Sequence, residues 1–109
     1  MNPLEKELKT ELLAICAKCA TIGYHPNYLK RMLTASNPQF YKGPVPTVRH
    51  LMLGTPSPLS GFRRLVQAGK LEWTVEWLIA QNSKFHPLFQ NSQWVLKKAI
   101  ARVRNAPRI

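Results

Sequence analysis

Negative charge is what this chain has least of. Five acidic side chains stand against sixteen lysines and arginines over 109 residues, which gives a formal charge of +11 and a pI near 10.3. Hydrolysis by paired carboxylates would have to draw on Glu72 and Glu76, and surface ion pairing with Lys70 is the simpler reading of those two. A Gly-rich phosphate loop, His-Glu-x-x-His and Gly-x-Ser-x-Gly are all missing. The expectation is a chain that is not an enzyme on its own and needs no cofactor. Long apolar runs are missing as well: none reaches the roughly 18 residues of a spanning helix, so no membrane partner is expected. The opening Met1-Asn-Pro-Leu-Glu-Lys-Glu7 lacks a basic stretch followed by an apolar one, which reads as an unprocessed cytoplasmic protein.

Cysteine is limited to Cys16 and Cys19. A redox Cys-x-x-Cys wants a βαβ setting, and a zinc site wants a second ligand pair that His25, His50 and His86 do not supply by spacing. Both cysteines are therefore expected in the core of a helix, with no metal bound, and His25, which precedes a proline, is expected in a turn. Strand-like alternation is absent too. Every apolar period is close to 3.6, so the fold class expected is all-α, a compact bundle of five to six short helices around one core. At this length about 65% of the unfolded surface can be buried, and residues 1–109 are read as a single helical domain with 104–109 a basic tail, frayed from Ala106.

What is present is best seen in Ser60-Gly-Phe-Arg-Arg-Leu-Val-Gln-Ala-Gly69-Lys-Leu-Glu-Trp-Thr-Val-Glu-Trp-Leu-Ile79. Ser60 can cap a first helix carrying Phe62, Leu65 and Val66; Gly69 can close it in the left-handed conformation, with Lys70 at the negative end of the dipole. A second helix begins almost at once, with Leu71, Val75, Leu78 and Ile79 on one stripe and Trp73 and Trp77 on the next. So tight a junction makes an αα-corner, expected to nucleate the core with Phe62, Leu65, Leu71, Val75 and Leu78 mostly buried.

The run Gly61-Phe62-x-Arg64-Leu65-x-x-x-Gly69-x-Leu71-Glu72-x-Thr74-Val75-Glu76-x-Leu78-Ile79, followed by Phe85-x-x-Leu88-Phe89, resembles a small uncharacterised bacterial helical domain. The likeness extends back through Gly23-Tyr24-x-Pro26-x-Tyr28-Leu29-x-x-Met32-Leu33 and so covers most of 23–103. The family usually has aspartate where this chain has Glu72, and its segment corresponding to Phe40–Val45 is shorter and poorer in proline. The resemblance implies a helical fold and transfers no catalytic set.

The remaining elements follow from periodicity. Residues 3–22 place Leu4, Leu8, Leu12, Ile15, Cys19 and Ile22 on one side of a helix capped by Asn2 and ended by Gly23. Asn27 is expected to cap a helix with Tyr28, Leu29, Met32 and Leu33 inward and Lys30 and Arg31 outward. From Ser36 to Pro46 prolines break the pattern, leaving Phe40 and Tyr41 as loop aromatics or lids on the core. Thr47 is expected to cap a helix to Leu53, with Val48, Leu51 and Met52 inward and Arg49 and His50 outward. Thr55–Pro58 is a stiff connector. After an apolar tie at Phe85, Leu88 and Phe89, Asn91 or Ser92 caps a last helix whose buried stripe is Val95, Leu96, Ala99, Ile100 and Val103. Its other side carries Trp94, Lys97, Lys98, Arg102 and Arg104.

Where the positive charge lies gives the functional expectation. Apart from Lys6, Lys9 and Lys18 it falls beyond residue 29, while three of the five acids sit on the N-terminal helix. Such a field favours polyanions. The expected function is a small basic nucleic-acid-binding protein, an accessory subunit of a nucleoprotein or nuclease complex, that contacts the DNA or RNA backbone with little sequence specificity. The candidate contacts are Lys30, Arg31, Arg63, Arg64, Trp94, Lys97, Lys98, Arg102 and Arg104. If the last helix packs beside the corner helix, Arg63 and the stripe from Lys97 to Arg104 form one surface, with Arg64 and Lys30 or Arg31 contributing according to packing, and about 4–6 phosphates are neutralised. The alternative is a protein-interaction module that docks an acidic protein partner on the same basic, tryptophan-bearing face.

Overall fold

Asn2 starts the fold as its sequence position suggests. Its side-chain oxygen accepts a hydrogen bond from the Glu5 amide at 2.8 Å, and Pro3 occupies the first turn, where a missing N–H costs nothing. The computed structural model describes residues 2–37, 39, 41, 43–53 and 60–106, apart from the side chains of 28, 60 and 61. Among these it has six α-helices, two 3-10 segments and no strand, as an all-α bundle requires. In order they are α1 (Pro3–Ala20), α2 (Asn27–Thr34), α3 (Pro44–Met52), α4 (Ser60–Gln67), a 3-10 turn (Leu71–Trp73), α5 (Val75–Gln81), a second 3-10 segment (Ser83–Phe89) and α6 (Gln93–Arg104). The expectations for Tyr28, Phe40, the connector at 55–58, the cap by Ser60 and residues 107–109 lie outside the described residues or side chains.

Glycine closes two helices as expected. Gly23 and Gly69 take φ of 78° and 73°, which L side chains resist, and the amides of Tyr24 and Lys70 reach back to the carbonyls of Cys19 and Leu65. Between α4 and α5 the corner differs from expectation. Leu71–Trp73 forms a 3-10 turn, and the cap of the second limb is Thr74: its Oγ1 accepts from the Trp77 amide at 3.0 Å and donates to the Leu71 carbonyl at 2.8 Å. Delaying the helix to Val75 leaves Leu71, Trp73 and Trp77 only half-buried, and Phe62 is half-buried as well.

Other boundaries also move. α1 stops at Ala20, so Ile22 falls in the closing turn and is exposed. Asn27 is the first residue of α2 rather than its cap; Pro26 holds the cap position without a side-chain bond. α3 opens four residues earlier than a Thr47 cap would allow. Pro44 and Pro46 lie in its first turn, where neither needs an amide, and the Thr47 amide bonds to the Gly43 carbonyl at 3.1 Å. Thr47 is thereby carried inside the helix and fully buried, its hydroxyl without a hydrogen-bond partner among the described residues. Ser92 holds the cap position of α6 but makes no side-chain cap bond.

α1 forms one wall of the core and packs on α2, α3 and the second 3-10 segment, while α5 and α6 make the most extensive helix pair on the other side. Leu8, Leu12, Leu33, Val48, Met52, Ile79, Phe85, Phe89 and Val95 are all fully enclosed in a single apolar cluster to which Leu65, Val75 and Leu78 also belong. The largest of these are Phe85 and Phe89, held on the 3-10 segment through Pro87. Ala106, where the frayed tail is expected to begin, is buried just past α6, so the chain is anchored that far. A radius of gyration of 13.2 Å is what one packed core of about 100 residues gives.

Candidate nucleic-acid interface

α2, α3, α4 and α6 contain no acidic residue at all: the five glutamates lie on α1, on the first 3-10 turn and on α5. Two of the five are also neutralised locally. Glu7 meets Lys84 at 2.6 Å on the surface, tying α1 to the second 3-10 segment, and Glu76 meets Arg102 at 3.0 Å in the interior. Cations are thus concentrated on helices that carry no acid of their own, and α6 has four of them, Arg102 being the one paired with Glu76.

Those four divide into two pairs. In α6 the exposed residues are Gln93, Trp94, Lys97, Ile100, Ala101 and Arg104, which recur at the three-to-four spacing of one helix face. Trp94, Lys97, Ala101 and Arg104 make its central row. Lys98 lies half-buried on the flank, and Arg102, one turn further along that flank, is turned inward. Its Nη1 also donates to the Leu51 carbonyl at 3.3 Å, so one guanidinium joins α6 to α5 and to the C-terminal turn of α3. Arg102 is therefore not on the outer stripe expected of it, and Glu76 is not on the surface beside Lys70. Glu76 is 4% exposed, and burial pushes its carboxyl above the ordinary range against the opposing pull of its backbone hydrogen bond and Arg102. Ile100, expected on the buried stripe, is 38% exposed. Of that stripe Val95 and Ala99 are buried, while Leu96 and Val103 are half-buried.

The other candidates belong to elements with different neighbours. α6 packs chiefly on α5, α3 and the second 3-10 segment, whereas α2 packs on α1 and α3, and α4 on the first 3-10 turn. Lys30, Arg31, Arg63 and Arg64 are all exposed, on helices whose principal packing partners do not include α6. Arg64 instead lies over the Tyr24 ring at 5.2 Å, next to the start of α2. Of the three tryptophans, Trp94 is the exposed one, at 40%. Trp73 is covered on one side by the Lys70 ammonium, 4.8 Å from the ring centre.

A separate groove of about 250 Å³ lies between α1 and the start of α2, lined by Leu13, Cys16, Ala17, Ala20, His25, Pro26, Asn27 and Lys30. Its thiol is poorly suited to nucleophilic work. Burial first, and then the neighbouring Cys19, push Cys16 up to about 11, so it stays protonated at neutral pH. Both cysteines are free and buried on α1, and no cluster of three or more His, Cys, Asp or Glu capable of holding a metal occurs among the described residues. No helix among them is long and apolar enough to cross a membrane.

Compared with models of protein families, with curated proteins and with solved structures, the chain matches none.

Proposed function

We propose that the chain binds nucleic acid through the outer face of α6, with Lys97 and Arg104 contacting phosphates, Lys98 supporting them from the flank and Trp94 adjoining. The observation that carries this reading is a twelve-residue helix with four cations and no acid, presenting Lys97 and Arg104 on one exposed row with Trp94. Neither of those two cations takes part in an ion pair among the described residues. A row fixed on a packed helix offers a rigid set of backbone contacts that carry no base information, so little sequence preference is expected. With Arg102 turned inward, α6 itself supplies contacts for about 2–3 phosphates, fewer than the sequence alone implied. So small a footprint suits an accessory subunit of a larger nucleoprotein or nuclease assembly in the cytoplasm, where other components add affinity.

Ile100 favours one competing reading. An exposed isoleucine beside Lys97 and Arg104, on the face that also holds Trp94, is the composition of a protein-docking surface for an acidic partner. Mobility shifts with duplex DNA, single-stranded DNA and RNA, run beside an acidic-protein control, separate the two. The nucleic-acid reading expects Lys97→Glu with Arg104→Glu to weaken every nucleic acid alike. Unchanged nucleic-acid binding together with loss of the acidic protein would replace it with the docking reading.

A further inference from the structure

We propose that the preferred ligand of this face is a single strand, with Trp94 as a stacking platform for one unpaired base; this deepens the phosphate-binding reading above and rests on it. Trp94 is the second residue of α6, and its exposed indole opens the row that continues through Lys97 and Arg104. Along the helix axis Trp94 precedes Lys97 by about 4.5 Å and Lys97 precedes Arg104 by about 10 Å. A base laid on the indole thus has its own phosphate within reach of the flexible Lys97 stem, and the next phosphates run toward Arg104. In a duplex the base faces are stacked inside the helix, so an exposed aromatic plane gains nothing from it. In a single strand every base has a free π-face, and stacking adds to the phosphate term without demanding a sequence.

The other tryptophans are poorly placed for this role. Trp73 already has a lysine ammonium over its ring, and Trp77 is half-buried where α5 begins. Charge complementarity supports a polyanionic occupant of the face, because no acidic residue lies on α6. Ile100 and Ala101 widen the apolar strip between the cations and give the sugar of a neighbouring nucleotide an uncharged surface.

The test uses the full chain with fluorescently labelled oligothymidylate and oligouridylate of about ten nucleotides, within the usual range of single-strand site sizes, and a hairpin duplex of mixed sequence. Binding is read by anisotropy at low salt. Trp94→Ala should weaken both single strands about tenfold and the duplex less than about twofold, whereas Trp94→Phe should recover much of the loss. Equal affinity of the two single strands is the outcome of stacking, and a large preference for either overturns sequence-tolerant stacking. Parent binding to all three probes with no effect of Trp94→Ala overturns the stacking inference alone and leaves phosphate binding standing. A parent that binds none of the probes overturns both.

Discussion

Arg102 on α6 places Nη1 3.0 Å from Oε2 of Glu76 on α5, with the arginine side chain 15% and the glutamate 5% exposed. The pair clamps the two most extensively packed helices from inside. It also removes from the surface a cation that the heptad-like spacing of α6 suggests is outward. Breaking a buried pair from one side leaves the other charge without compensation. Glu76→Ala is therefore expected to cost about 3 kcal/mol in chemical denaturation, and joint replacement of both residues by leucine much less than the sum of the single losses. Additive losses would mean that the two groups do not depend on one another.

Thr47 is predicted to behave in the opposite sense. Its hydroxyl is fully buried without a partner among the described residues, so Thr47→Val, which keeps the shape and removes the polar atom, should stabilise the fold by about 1 kcal/mol. A fall in melting temperature would show that the hydroxyl is hydrogen-bonded in solution.

Cys16 gives a pH dependence whose sign is fixed. Its folded-state thiol is raised from 9.0 to about 11, mainly by burial, so the folded state holds the proton more tightly than the unfolded chain. The resulting stability is fully present below pH 9 and is lost as pH rises through about 11. Urea titrations at intervals from pH 8 to about 11 should show a decline that is smaller in Cys16→Ala. Identical slopes in the two proteins would contradict the assignment.

Much of the fold is legible in the residues themselves. Asn2 with Pro3, Gly23 and Gly69 announce helix ends by local chemistry, and local chemistry is what the chain uses there. α3 is harder to read because Pro44 and Pro46 look like breakers unless their place in a first turn is known, and that place depends on Gly43 adopting a positive φ. The pattern of the corner predicts that it nucleates the core, yet the largest fully buried side chains are Phe85 and Phe89. They lie on a 3-10 segment whose three-residue turn and internal proline give no 3.6-residue signal. The site is legible only in part. Periodicity puts Trp94, Lys97 and Arg104 on one side of α6, but it cannot say that a glutamate 26 positions away draws Arg102 inward. A glutamate without an ion-pair partner on its own helix, opposite an excess of arginine, is the one sequence signal that could have suggested it.

The salt dependence of binding tests the central claim most directly. With about 2–3 phosphates neutralised by α6, log affinity for a single strand should fall with log salt at a slope of about −1.5 to −2, using the single-strand coefficient of about 0.7 per phosphate. Lys97→Glu with Arg104→Glu should bring that slope close to zero, while Lys6→Glu with Lys18→Glu on α1 should leave it unchanged. A slope that persists in the α6 variant, or that flattens equally in the α1 variant, would contradict an interface on the outer face of α6.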